Sequence, residues 1–266
     1  MPPAASAYVA LANGNYASTD LTRGPWHPDH QHGGPPIALV ARGIERAGAA
    51  LGLTHVARLT ANLLRPIPIA ELAIEVQTDY AGRNVAHFSA QLHAGGKEVA
   101  RFTAVVQREA GLEFPAGLPG HPLPQAPRAP GQSPAAPFLF ASRTTGYHDL
   151  IEGRTAAGVA FRGPSAAWFR LRHPLLAGEA PGGLERVAVA ADSGNGISAI
   201  LDFHRYIFVN SDLTINLLRK AQGEWICIDA CTLLGPDGGG LAESRIFDAA
   251  GLIGRATQSL AIRLRD

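Results

Sequence analysis

The chain has 266 residues, 46% apolar and 17% charged, with a formal net charge of +1. That length allows one large domain or two small ones, and a core large enough to need no disulfide or metal staple. The charge balance excludes a disordered chain and a nucleic-acid binder working through a large positive excess.

In chain order, the first residues MPPAASAYVALANG lack the basic segment and sustained apolar core of a secretory leader. No apolar run reaches the roughly 18 residues of a membrane-spanning helix, so a cytoplasmic chain without a membrane span is expected. YVALANGNYASTDL reads as two short strands about an Asn13-Gly14 turn. Pro35–Gly52 reads as a helix: Pro35 and Pro36 suit a first turn, Ile37, Val40, Ile44 and Ala47 fall at helical spacing, and Gly52 ends it. ARLTANLLRPIP, ELAIEVQTDYAGRN, AHFSAQLHAGG and EVARFTAVVQRE follow as antiparallel strands separated by turn signals.

In the proline- and glycine-rich stretch Gly111–Pro137, proline removes backbone donors and fixes φ, so it is expected not to join a sheet ladder and reads as an extended linker. Beyond it the pattern repeats: strands around Thr155–Arg172, a helix near Gly182–Ala191, the strand-like HRYIFVNSDLTINLLR and EWICIDACTLL, a hairpin turn at GPDGGGLAES, and the paired ends RIFDAAG and RATQSLAIRL. Cys227 and Cys231 are about 13 Å apart along a strand, too far for a disulfide, and are expected as small core residues on one side.

Two blocks of sequence recur. LTANLLR (Leu59–Arg65) returns as LTINLLR (Leu213–Arg219), an offset of 154, and Gly96–Arg108 lines up with Gly251–Arg263 at 155. A period this long means two copies of one domain rather than a solenoid. The expected division is residues 1–112, a linker 113–138, and residues 139–266. Each unit is α+β, one long helix on a curved antiparallel sheet.

Trp26–Glu45 (WHPDHQHGGPPIALVARGIE), Leu59–Pro68, Val187–Ser198 (VAVAADSGNGIS), Ser211–Trp225 and Gly254–Arg263 together resemble the tandem double-hotdog, type II (TesB-like) acyl-CoA thioesterases. The resemblance implies hydrolysis of an acyl-CoA by an activated water, without metal, cofactor or covalent intermediate. It matches Asp192 to the family's aspartate and Gln258 to its glutamine. The register of the family's threonine falls on Asn210, a departure: an amide can orient a water but carries no hydroxyl, and Ser211 or Thr214 could supply one. A homo-oligomer is also expected.

The chemistry asks for a base or water-positioner and for donors aimed at the developing oxyanion. Gly33 and Gly34, before the first helix, are expected to let a thioester approach the backbone and the helix N-terminus, with His32 and Asp29 as helpers lining the site. The position matching Gln258 in the first copy is read as Thr103, so one site per chain is expected. Arg65, Arg83 and Arg219 are candidates for the CoA phosphates. Alone, Asp192 would read as a helix cap or turn residue and Gln258 as a solvated strand residue. His27, His30 and His32 lack metal-ligand spacing, and there is no Gly-x-Ser-x-Gly elbow. Two other readings compete: a non-hydrolytic acyl-thioester binder with a decayed site, and an acyl-thioester hydratase or dehydratase using His32 with Asp29.

Overall fold

The computed structural model describes residues 5–113, 115, 123–136 and 144–265. The first half holds β1 (Tyr8–Ala10), β2 (Tyr16–Ser18), α1 (Gly34–Ala50), β3 (His55–Leu63), β4 (Glu71–Ala81), β5 (Val85–Ala94) and β6 (Lys97–Gln107). The second holds α2 (Tyr147–Leu150), β7 (Ile151–Ala157), β8 (Ser165–Leu171), α3 (Gly183–Ala191), α4 (Gly194–Ile197) and β9 (Tyr206–Asn210). It ends with β10 (Asp212–Leu217), β11 (Ile226–Leu234), β12 (Gly239–Asp248) and β13 (Gly251–Leu264). No helix among the described residues is long and apolar enough to cross a membrane.

The strands form one antiparallel sheet in the order β1-β2-β4-β5-β6-β3-β10-β13-β12-β11-β8-β7, with β9 beside β13. Read inward from either edge, corresponding strands of the two halves come in the same order. They meet where β3 pairs with β10: Thr60 opposes Thr214, Leu59 opposes Ile215 and Ala61 opposes Leu213. The repeated string is thus paired with its own copy about a local two-fold axis, and the Thr214 hydroxyl reaches Thr60 Oγ1 at 3.2 Å.

The alternation predicted for these strands decides their faces. Leu59, Ala61, Leu213 and Ile215 turn inward and are buried under the helices. The apolar stripe of α1, with Ile37, Val40 and Ile44, is fully buried on the same core, where each such side chain contributes about 1.5–3 kcal/mol. A second, smaller cluster on the other face gathers Trp168, Cys227, Phe247 and Leu252. Cys231 shares that face but is only half-buried, and both thiols are free.

Three expectations need correction. First, the ladders shift the internal alignment. Thr60 pairs with Thr103 in the first half and Thr214 with Thr257 in the second. Thr103 therefore corresponds to Thr257, and the counterpart of Gln258 is the buried Ala104. A slip of one residue exchanges the faces of a strand. Second, HRYIFVNSDLTINLLR is not one regular strand. Asn210 opposes Leu260 while Thr214 opposes Thr257, so the register slips at Ser211. The same slip occurs at Ala57 in the first half. Third, part of the proline-rich stretch does join the sheet edge: Thr155 donates its amide to the Pro134 carbonyl and Ala136 donates to Gly153. Prolines lack a donor but keep an acceptor. The remainder of the expected linker, 114, 116–122 and 137–138, lies outside the described residues.

Arg219 forms a two-pronged pair with Asp248, both contacts at 2.6 Å, and the Asp248 carboxylate also accepts the Gln222 and Ala250 amides. Asp248 is fully buried and Arg219 one-third exposed. Replacing Asp248 by Ala strands the guanidinium and two amides and should cost about 3 kcal/mol in urea unfolding. A loss below about 1 kcal/mol would mean that desolvation already offsets the pair.

Candidate active site

The N-terminus of α1 lies against the C-terminal end of α3, and glycine makes the approach possible. A Cβ on Gly33 would stand 2.9 Å from Asp192 Oδ2, and one on Gly34 would stand 2.7 Å from the Val189 carbonyl oxygen. The space beside the glycine pair is therefore occupied by α3, which corrects the expectation that a thioester enters there. Pro35 and Pro36 remove two of the amides at the start of α1, and that of Gly34 is shared between His32 Nδ1 and the Asp192 carboxylate. Three of the expected oxyanion donors at this helix end are thus absent or committed.

Asp192 follows the last residue of α3 and its side chain is 4% exposed. Its Oδ2 lies 3.0 Å from His32 Nδ1. Its Oδ1 accepts a hydrogen bond from Asn210 Nδ2 at 2.9 Å, with Gln258 Nε2 at 3.5 Å. Gln258 Nε2 also donates to the Asp192 carbonyl at 3.3 Å, and its Oε1 accepts the Asn195 amide at 2.9 Å. Gln258 is 1% exposed, so the solvated-strand reading is overturned. Burial pushes the Asp192 carboxyl up, but the charge His32 carries when protonated, the hydrogen bonds from His32 and Asn210 and the Gly34 amide outweigh it, leaving the group below its ordinary value.

The Gly34 amide lies 3.2 Å from His32 Nδ1 as well. That nitrogen cannot accept from Gly34 and also donate to Asp192. A 3.0 Å contact with a carboxylate is attractive only with the proton on nitrogen, so the Asp192 contact and the Gly34 hydrogen bond compete for the same atom. The His32 ring stacks on Tyr147 at 3.7 Å and 4°. The Tyr147 hydroxyl donates to the Val189 carbonyl at 2.8 Å and lies 3.0 Å from Ser193 Oγ. Burial pushes the Tyr147 phenol far up, so it stays protonated. One residue before His32, Gln31 accepts the Tyr8 hydroxyl at 2.6 Å and donates to the Pro68 carbonyl, pinning the loop. Phe208 packs edge-on against Trp26 at 5.3 Å, two residues from Asn210 and on the same face of β9.

Of the residues proposed from sequence, Asp192, Gln258, Asn210, His32, Gly33 and Gly34 converge. Thr214 does not. Its cross-strand partner Thr257 neighbours Gln258, so the two threonines share the face opposite to Gln258. The slip at Ser211 turns Asn210 inward and leaves Thr214 outward, beside Thr60. Ser211 donates instead to the Ser259 carbonyl. Asp29 is 83% exposed and lies by His27, not His32. His27 stacks on His30 at 4.4 Å, and no group of three or more potential metal ligands is gathered among the described residues. Of the arginine candidates, Arg219 is committed to Asp248. Arg83 precedes β5, whose first residue pairs with Gln107, itself paired with His55 on β3, at the end of the sheet remote from Asn210. Arg65 follows Leu63, whose amide donates to Ser211, at the same end as the site. Tyr147 and Asn195 carried no sequence signal of their own.

The Acyl-CoA thioesterase N-terminal domain profile matches residues 22–107, and the Acyl-CoA thioesterase C-terminal domain profile matches residues 120–262. The chain belongs to the acyl-CoA thioesterase family that these two domains define. Solved structures with this fold include a candidate thioesterase from Novosphingobium aromaticivorans, at 22% identity and TM-score 0.70, covering 98% of each chain. A candidate thioesterase II from Thermobifida fusca is 18% identical with TM-score 0.73, over 97% of this chain and 96% of that one. A hot dog fold protein of unknown function from Alicyclobacillus acidocaldarius is 17% identical with TM-score 0.71, over 98% and 97%. These likenesses make the fold a hotdog fold. A search of curated proteins found no match.

At the opposite crossing of the two helices, Glu45, His55, Leu184, Leu217 and Lys220 help to line a small cleft of about 90 Å³. Burial, reinforced by the Glu185 charge and opposed by Lys220 and Arg186, pushes the Glu45 carboxyl up to about 7. The folded protein thus binds more protons than the unfolded chain between roughly pH 4.5 and 7, and the group costs stability as pH rises through that window. Glu45→Gln should therefore raise Tm at pH 8 and change it little at pH 4. An equal effect at both would dissociate the cleft from this titration.

Proposed function

We propose that this thioesterase-family protein is an acyl-CoA thioesterase built as a tandem double hotdog, with halves at 1–112 and 139–266 joined by 113–138. It releases a free acid and CoA at one site per chain. The observation that carries this reading is the convergence of His32 from the first half with Asp192, Asn210 and Gln258 from the second on one buried carboxylate. The first-half counterparts of Asn210 and Gln258 are Val56 and Ala104, both buried and apolar, which supports a single polar site.

Hydrolysis of a thioester needs a group that takes a proton from water and a fixed polar frame that tolerates charge. Asp192 supplies the buried charge, and the amides of Asn210 and Gln258 hold it in one orientation. Asn210 thereby takes a positioning role in place of the family's threonine, which weakens the decayed-site reading. Arg65 is the arginine best located to meet a CoA phosphate. A cytoplasmic setting and a homo-oligomeric assembly belong to the same proposal.

Thiol release from a panel of acetyl-, octanoyl-, palmitoyl- and benzoyl-CoA tests it. Turnover is expected from at least one member, with Asp192→Ala and Gln258→Ala each lowering kcat by about 10²–10⁴-fold. Binding without thiol release would favour the non-hydrolytic alternative. Conversion of an enoyl-CoA with its C–S bond intact would favour hydration.

A further inference from the structure

We infer that His32, through its Nε2 atom, is the general base of the hydrolysis, and that Asp192 acts by holding the imidazole rather than by taking the proton from water. The inference rests on the thioesterase reading above and assigns the proton-transfer step within that site.

Asp192 is poorly suited to meet water. Its carboxylate accepts Asn210 at 2.9 Å, has Gln258 at 3.5 Å and lies 3.0 Å from His32 Nδ1, and its side chain is 4% exposed. These three neighbours crowd the directions along which a water would have to approach the two oxygens. The same donors favour the ionised form, which makes the group a weaker proton acceptor.

His32 has the complementary properties. With its Nδ1 proton committed to Asp192, a neutral imidazole presents a bare lone pair on Nε2. No described residue hydrogen-bonds that nitrogen, and the side chain keeps 15% of its surface exposed. The ring cannot swing freely, because it lies flat on Tyr147, whose hydroxyl is tied to α3 through Val189 and Ser193. A carboxylate that fixes the tautomer of a histidine while the far nitrogen does the proton transfer is the logic of the catalytic triads, here with water as nucleophile.

The step balances without any further reactant. Nε2 removes a proton from water as the water oxygen bonds to the thioester carbonyl carbon. The tetrahedral intermediate then expels the thiolate, the C–S bond breaks, and the proton on Nε2 passes to sulfur. The products are one acid and one thiol, and His32 returns to its neutral Nδ1–H form. Asp192 stays ionised throughout.

Two measurements on the full-length protein decide the matter. Long-range ¹H–¹⁵N NMR of histidine-labelled protein, assigned with His32→Gln, should find a neutral Nδ1–H tautomer at pH 7–8 in the wild type and its loss in Asp192→Asn. A resting Nε2–H tautomer, or an imidazolium persisting through that range, overturns the base assignment whatever the activity. In the thiol-release assay, His32→Gln should lower kcat by about 10²–10⁴-fold with little change in KM, and added imidazole should restore part of the turnover of His32→Ala but not of Asp192→Ala. A wild type that releases thiol while His32→Gln stays within threefold of it overturns the role of His32 and leaves the thioesterase reading intact. A wild type that hydrolyses none of the four thioesters defeats the thioesterase reading, and the base assignment falls with it.

Discussion

The pairing of β3 with β10 about Thr60 and Thr214 governs the rest of the molecule. It joins two half-sheets into one and removes two edges that would otherwise be exposed to pairing with other chains. The local two-fold axis also sets α1 and α3 side by side and antiparallel. The start of α1 meets the end of α3 at Gly33, Gly34, Val189 and Asp192, and the start of α3 meets α1 at Gly182 and Glu45. Each crossing brings together the positive end of one helix dipole and the negative end of the other. Neither half has such a crossing without its copy.

Asp192 occupies a position that helix electrostatics alone disfavours, since a carboxylate at the end of α3 faces the negative end of that helix. The start of α1 compensates with the Gly34 amide and the positive end of its own dipole. The remaining donors come from separate elements: His32 from the loop before α1, Asn210 from β9 and Gln258 from β13. A buried carboxylate with fewer partners would neutralise or cost several kcal/mol. The site is therefore also part of the framework that holds the halves in register.

Much of this was readable in the residues. The 154-residue offset is the separation of Thr60 and Thr214, the pair at the axis. The helix read at Pro35–Gly52 is α1, and the apolar spacing that marked it is its buried stripe. What failed did so for local reasons. Matching Gly96 to Gly251 placed the last strands one residue out of register, and one residue was enough to equate the outward Thr103 with the inward Gln258. The slip at Ser211 has no sequence signature here, so Thr214, close to Asn210 in sequence, reads as a source of the missing hydroxyl although it lies on the other face. Gly33 and Gly34 are read from sequence as the place where a thioester approaches the backbone, but what approaches them is a helix of the same chain. The His32–Asp192 contact spans 160 positions, and nothing short of the fold could have joined them.

Both helix crossings hold carboxylates, the buried Asp192 at one and the half-buried Glu45 with the buried Glu185 at the other. At one, Asp192 is met by an imidazole and by side-chain and backbone donors, and its carboxyl lies below the ordinary value despite complete desolvation. At the other, the Glu45 and Glu185 carboxylates converge on Gly182, and burial drives both upward. The β-strand positions that supply Asn210 and Gln258 to the first crossing supply Val56 and Ala104 to the second. Two substitutions on facing strands thus separate a crossing that can hold a permanent charge from one that sheds it near neutrality. A duplicated fold with an exact two-fold would have to solve the desolvation of two carboxylates at once. Concentrating the donors at one crossing solves it once and leaves the other free to carry packing and a cleft.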